Sequence, residues 1–254
     1  MTLTKYKLAE TLIKHSQTVF GMKAIVIKNE PNADNVKVLK IKPELELDFK
    51  PGQFIMVNYE TIKDNSLVNV KRAYSISSSP LNKNYIELIF DKKPYGLVSN
   101  YLYNLKENDV IEITTPNGFF IFDDHIKEDL VLIGAGTGIA PFLSIARYIK
   151  DKKLKNKIAL IYSCKTNQDI ILYEELKKIK HESKDFEYYI TLTQDNDWDG
   201  LKGRINQEML NSLIKDLNNK IFYLCGPPLM VLDISKVLQS LGVNKEKIKI
   251  ECYE

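Results

Sequence analysis

Along the first half of the chain, apolar and polar residues alternate in short runs separated by turn residues. Residues 23–28, 36–41, 54–59, 72–77, 85–90 and 110–114 read as strands, with Pro51-Gly52 and Pro116-Asn117-Gly118 as breaks between them. A single helix near residues 97–103 interrupts the series, and an amphipathic stretch over residues 8–20 predicts a further helix whose role the pattern does not assign. Six strands at this spacing predict a small N-terminal six-stranded antiparallel β-barrel. After about residue 126 the pattern changes to apolar runs (130–133, 158–163, 188–193, 221–224, 248–252) that alternate with helical periodicity at 139–150, 173–180, 207–217 and 228–241. Strands linked by helical crossovers form parallel sheets, so this half predicts a C-terminal α/β, doubly wound, five-stranded parallel sheet. The expected division is an extension over residues 1–20, a barrel domain over 21–126 and an α/β domain over 127–254.

With 254 residues the chain is long enough for two cores of ordinary domain size. The 36 basic and 33 acidic residues leave a formal net charge of only +3, which argues against nucleic acid as the main partner. The lysine-rich stretch at 150–157 reads as a solvated helix end. No apolar run approaches the ~20 residues of a membrane-spanning helix, and residues 1–20 lack a secretory signal pattern, so a cytoplasmic protein with no membrane partner is expected. Cys164, Cys225 and Cys252 are far apart and lack CxxC spacing. Iron–sulfur clusters are usually held by four thiolates, so none is expected in this chain.

Three segments carry candidate chemistry. In the first, a strand from Leu130 runs through Gly134, Gly136, Thr137 and Gly138 into a helix that has Pro141 in its first turn. Glycines let backbone N–H groups approach a pyrophosphate at a helix N-terminus, although Ile139 stands where the usual third glycine would be, and close packing would also explain the pattern. In the second, Arg72-Ala73-Tyr74-Ser75 on a strand is followed by Gly96-Leu97-Val98-Ser99 at a helix start. An arginine can pair with a diphosphate, an aromatic ring can stack on a flat cofactor and a hydroxyl can bond a ring nitrogen. Each residue alone has an ordinary explanation, as surface cation, strand aromatic or helix cap, and only the combination is informative. In the third, a strand ends at Cys225-Gly226-Pro227, where a parallel sheet presents its ligand-binding edge; a structural, buried cysteine is the competing reading.

Taken in order, RAYS (72–75), GLVSNYL (96–102), GAGTGIAPF (134–142) and CGPPLM (225–230) resemble the ferredoxin–NADP reductase superfamily, which includes flavodoxin reductases, cytochrome b5 reductases and the reductase modules of oxygenases. Pro51-Gly52-Gln53-Phe54 and Pro116-Asn117-Gly118-Phe119 also resemble that family's barrel turns. The resemblance runs from about residue 21 to 254 and implies an FAD-binding barrel and an NAD(P)-binding sheet. It implies that Arg72 meets the flavin diphosphate, that Tyr74 packs on the ring system with Ala73 beside it, and that Ser75 lies near flavin N5. The turn at Gly96, Leu97, Val98 and Ser99 would hold a second phosphate, favouring FAD over FMN. Gly136, Thr137, Gly138 and Pro141, with Gly226 and Pro227, would form the nicotinamide dinucleotide site, and Cys225 would lie near nicotinamide C4. The implied activity is hydride transfer from NAD(P)H to FAD, then release of single electrons to a separate ferredoxin, flavodoxin, cytochrome or oxygenase component. The alternative is a flavin- or nucleotide-binding subunit that regulates or tethers a larger complex.

The choice of dinucleotide is less marked. Ser163 and Lys165 offer a hydroxyl and a cation that suit a 2′-phosphate, with Tyr173 near the adenine, whereas Gln194 stands where NADPH-preferring relatives commonly have an arginine. The residues lean towards NADPH, with NADH open. The penultimate Tyr253 would either stack near the flavin or simply cover the end of the sheet.

Overall fold

The computed structural model describes residues 21–63 and 66–253. The helix predicted over residues 8–20 lies outside them. In the first half, β1 (Met22–Ala33), β2 (Val36–Pro43), β3 (Phe54–Lys63), β4 (Ser66–Ser75), β5 (Ile86–Asp91) and β6 (Val110–Ile113) form an antiparallel sheet in the order β4-β3-β6-β1-β2-β5. An isolated bridge between Ile76 and Leu88 joins the two ends of that order and closes the barrel. Alternation along the strands sends Ala24, Val26, Leu39, Ile41, Ile55, Val57 and Leu88 inward. Each fully buried Ile, Leu or Val contributes about 1.5–3 kcal/mol over its exposed state. Helix α1 (Leu97–Asn104) caps the interior with Val98 and Leu102.

The strand predicted over 72–77 instead begins at Ser66 and ends at Ser75, pairing with β3 as far out as Lys63 opposite Ser66. Residues 66–71 carry no continuous apolar stripe and lie largely exposed, so periodicity cannot reveal this outer half of the hairpin. Gly52 is required where the chain turns: its φ is 97°, and a Cβ there would sit 1.9 Å from the Phe120 carbonyl oxygen.

The second half holds β7 (Asp129–Ala135), β8 (Ile158–Cys164), β9 (Phe186–Leu192), β10 (Leu201–Lys202), β11 (Lys220–Gly226) and β12 (Ile248–Cys252), in the order β10-β9-β8-β7-β11-β12. All its pairings are parallel. The sheet therefore has six strands where five were predicted, because the added edge strand is two residues long and leaves no periodic signature. Alternate residues of β7 face opposite layers: Leu130 and Leu132 pack with α2 (Ala140–Asp151) and α3 (Tyr173–Glu182), and Val131 and Ile133 pack with α4 (Gln207–Leu213) and α5 (Pro228–Ser240). The strand order reverses at β7, which opens a crevice at its carboxyl end. No helix among the described residues is long and apolar enough to cross a membrane.

The two halves are joined by apolar packing and by a buried ion cluster. Phe120 of the barrel side packs edge-on against Tyr223 of β11, whose hydroxyl donates to the Ile121 carbonyl at 2.8 Å. Arg147 on α2 donates to the Ser77 carbonyl (2.8 Å) and Glu87 Oε1 (2.6 Å) of the barrel, and through Nε and Nη2 to Glu175 at 2.7 Å each. Ser144, one turn earlier, donates to the Ser78 carbonyl at 2.8 Å. Helix α2 thus grips the segment that follows Ser75 while its own N-terminus carries the glycine loop.

Candidate active site

The last residues of β4 (Ala73, Tyr74, Ser75), of β11 (Cys225) and of the chain's end (Glu251, Cys252, Tyr253) line one cavity of about 230 Å³, together with Thr137 of the glycine loop. Because β4 ends there, both of its faces reach the cavity. Tyr74 packs edge-on against Phe90, with centroids 6.1 Å apart, which fixes its ring. Burial, and then the charge of Asp91, push the Tyr74 phenol well above its ordinary range. Burial does the same to the Cys225 thiol, with Glu251 adding to it, and to the Tyr253 phenol. The cavity is therefore a place that resists charge.

Glu251 was not singled out by residue type, yet it faces this cavity. It lies in register with Cys225 on the neighbouring strand, and Ser75 Oγ donates a long hydrogen bond of 3.5 Å to its Oε2. Burial raises its carboxyl to about 7, partly opposed by the Ser75 hydrogen bond. The register of Cys225 with Glu251 is the signal that would have found it.

Tyr253 covers the glycine loop. Its hydroxyl donates to the Ala135 carbonyl at 2.5 Å, while Tyr162, buried beneath, donates to the Gly136 carbonyl at 2.9 Å. Two phenols thus hold the loop's carbonyl groups. Gly136 has φ of 51°, and a Cβ on Gly138 would lie 2.4 Å from the Cys225 carbonyl oxygen and 3.1 Å from the Tyr253 ring. The glycines let the loop pass close to Cys225 and Tyr253. Pro141 is buried in the first turn of α2, and Gly226 accepts a hydrogen bond from the Tyr253 amide at 3.3 Å, next to the exposed Pro227.

A groove of about 580 Å³ adjoins the cavity through Ala73, Tyr74 and Asp91 and is lined further along by Arg72, Lys93 and residues 95–99. Among the described residues the Arg72 side chain bonds only its neighbour's carbonyl, Lys71, at 3.0 Å, so its guanidinium remains available to an anion. Gly96 is the N-cap of α1, and the first-turn N–H groups of such a helix lack intrahelical acceptors. Any Cβ on Gly96 would crowd Ser99 Oγ at 2.4 Å. Ser99 itself is buried and its hydroxyl accepts from the Lys93 amide at 3.2 Å, so the turn meets the groove through backbone rather than through that side chain. The Arg72 guanidinium and the N-terminus of α1 line a groove that adjoins a cavity walled by Tyr74, an arrangement that fits an extended flavin nucleotide.

Ser163, Lys165 and Tyr173 line neither space: Ser163 is near the end of β8, opposite Ala135 of β7, and Lys165 and Tyr173 follow the strand. Lys165 is exposed and Ser163 half-buried. Tyr173 packs into an aromatic cluster with Tyr188 and Trp198 (centroids 6.4 and 6.5 Å away), and the Lys177 ammonium lies 4.1 Å from its ring centroid. Two carboxylates border the Lys165 segment: Asp169 accepts from the Thr166 amide (2.8 Å) and hydroxyl (2.7 Å), and Asp195 accepts from the Asn167 amide at 3.2 Å.

Both halves of the chain match known proteins. Residues 23–122 match the oxidoreductase FAD-binding domain family, and residues 132–236 match the oxidoreductase NAD-binding domain family. The chain is 31% identical to one of the subunits of the Na(+)-translocating NADH-quinone reductase of Marinomonas sp. (strain MWYL1), over 93% of this chain and 69% of that one. It is 30% identical to the flavohemoprotein of Bacillus subtilis (strain 168), over 90% of this chain and 58% of that one. Among solved structures, the flavohem-like FAD/NAD-binding domain of nitric oxide dioxygenase from Vibrio cholerae O1 biovar El Tor superposes with a TM-score of 0.83 at 25% identity, covering 92% of this chain and 99% of that one.

Proposed function

This chain belongs to the ferredoxin reductase-like family of oxidoreductases, which join an FAD-binding to an NAD-binding domain, and we propose that it draws hydride from NADH and passes electrons singly to a separate acceptor protein. When bound, FAD supplies acceptance of a hydride and release of single electrons. The observation that carries this reading is the shared cavity: Tyr74 and Ser75 from the barrel and Cys225 and Tyr253 from the parallel sheet meet across one space.

The chain's own residues bind, orient and exclude water. Arg72 and the first-turn amides of α1 would hold the flavin diphosphate and Tyr74 would pack on the ring system, while Ser75, whose hydroxyl donates to Glu251, would lie beside the reacting edge. Gly136, Thr137 and Gly138, at the head of α2, take the dinucleotide pyrophosphate, with Pro141, Gly226 and Pro227 shaping the passage and Cys225 beside the nicotinamide. The Tyr253 ring lies over that loop, so dinucleotide entry requires it to move aside. A cavity whose half-buried walls resist charge favours hydride transfer by orientation, because the two reacting atoms need only be held in contact.

Donor choice rests on the end of β8 and the segment that follows it. Lys165 and Ser163 would attract a 2′-phosphate, but Asp169 and Asp195 border the same segment and would repel its charge of about −2. The balance favours NADH, against the lean given by Ser163 and Lys165 alone, and the name of the quinone reductase relative carries the same donor. A second reading, a flavin-binding component of a larger complex, draws on that relative being itself one subunit among several.

Purified protein loaded with FAD, mixed anaerobically with NADH or NADPH, tests both. Loss of the oxidised-flavin absorbance, faster with NADH, followed by reoxidation by ferredoxin, flavodoxin or a cytochrome, is the expected result. Bound flavin that stays oxidised with both donors would leave the noncatalytic component as the better description.

A further inference from the structure

Strand β12 forms one edge of the parallel sheet and pairs with β11 on one side only, whereas the opposite edge, β10, is two residues long. The Tyr253 amide donates to the Gly226 carbonyl at 3.3 Å, so by alternation the Glu251 and Lys249 amides also face β11. Those of Ile248, Ile250 and Cys252 therefore point away from the sheet. Unpaired edge groups of this kind are a template for another strand. Ile250 is 47% exposed, and on the same layer α5 leaves Leu229 and Leu232 exposed. On the other face Lys249 and Glu251 are half-buried, and neither has an ion-pair partner among the described residues. Lys249 donates to the Ile121 carbonyl and the Tyr223 hydroxyl, both at 3.1 Å, and Glu251 accepts the long bond from Ser75. Burial lowers the Lys249 ammonium and raises the Glu251 carboxyl, as expected for charges without an adjacent counter-charge.

This edge is complementary to itself. When two β12 strands lie antiparallel with Ile250 opposite Ile250, the outward amide and carbonyl of each Ile250 bond those of the other, and Ile248 faces Cys252. Lys249 and Glu251 then occupy the intervening positions without hydrogen bonds, where opposed side chains come closest, and each Lys249 meets the partner's Glu251. Shifting the axis by one residue would instead set Lys249 against Lys249 or Glu251 against Glu251. We propose that this chain forms a two-fold dimer through β12, which makes the two parallel sheets continuous and sets the partner's Lys249 against Glu251 on the cavity wall. The inference does not depend on the flavin reading above.

Sedimentation velocity of the full chain across a dilution series reads the dimer. Wild type should associate as concentration rises, and its β12 amides should exchange hydrogen more slowly in the concentrated protein. Ile250→Pro removes an outward N–H and leaves the bonds to β11 in place, so it should stay monomeric with a urea midpoint close to that of wild type. Lys249→Glu and Glu251→Lys each bring like charges together and should raise the dimer Kd about tenfold or more. An equimolar mixture of those two variants makes every facing pair opposite in sign again and should dimerise as wild type does. If Glu251→Lys fails to fold, Ile250→Pro and the exchange of the β12 amides decide alone. A wild type that is monomeric at every concentration, a dimer that survives Ile250→Pro, β12 amides that exchange equally fast at all concentrations, or a mixture no better than either variant would overturn the proposal.

Discussion

Ser75, at the end of β4 in the barrel, and Glu251, on the last strand of the parallel sheet, meet at 3.5 Å across the seam between the two domains. The carboxyl is half-buried, and its folded-state value of about 7 stands above the ordinary 4.5. Between those values the folded chain holds a proton that the unfolded chain has released, so stability falls as pH rises through the window. In urea unfolding of the flavin-free protein, wild type should lose about 1 kcal/mol per pH unit there, and Glu251→Gln should show a flatter profile. Parallel profiles for the two would remove Glu251 as the titrating group.

Gly138 is expected to admit no side chain. A Cβ would meet the Cys225 carbonyl oxygen at 2.4 Å and its carbon at 2.8 Å, and backbone cannot give way as a flexible side chain can. Gly138→Ala should cost about 1–3 kcal/mol by urea unfolding and slow flavin reduction, because any relief displaces the loop from Cys225. Wild-type stability with an unaltered reduction rate would contradict the contact.

Arg147 joins the domains through Glu87 and Glu175. Glu87 is 3% exposed, so removing the arginine leaves a buried carboxylate without its main partner. Arg147→Met should lose about 3 kcal/mol, and adding Glu87→Gln should recover part of that loss. A double variant whose destabilisation is simply the sum of the two single ones would show that the pair is not coupled.

Asp195 and Lys165 should act oppositely on donor choice. Asp195→Asn is expected to raise the NADPH/NADH ratio of kcat/KM about tenfold, the effect of removing one nearby like charge, and Lys165→Ala to lower it. Steady-state assays at low salt read both ratios. A ratio that moves in neither variant would place the 2′-phosphate elsewhere.

The barrel and the parallel sheet were legible because their strands are short apolar runs with the right period, and Cys225 could be placed beside the glycine loop because both end parallel strands. What was hidden has common causes. The two-residue strand at Leu201 and the exposed outer half of β4 leave no apolar stripe. Arg147 and Glu251 look like ordinary charged residues on a helix and a strand, and acquire their roles only where segments 60 to 176 residues apart close on each other. The inward turn of the Ser99 hydroxyl to the Lys93 amide and the packing of Tyr173 with Tyr188 and Trp198 likewise depend on segments that only the fold brings together. Tyr253 had two readings from its position, and its hydroxyl bonds the Ala135 carbonyl beside the glycine loop.

The central claim is tested most directly by single-turnover flavin reduction, with wild type and Cys225→Ala each loaded with FAD and mixed anaerobically with NADH. Wild type should be reduced fully by one equivalent of NADH. Cys225→Ala should keep its FAD but be reduced about tenfold or more slowly, since a small misplacement at the reacting atoms has that effect. Equal rates in the two proteins, or FAD that stays oxidised in wild type, would contradict a hydride path through the cavity shared by Tyr74 and Cys225.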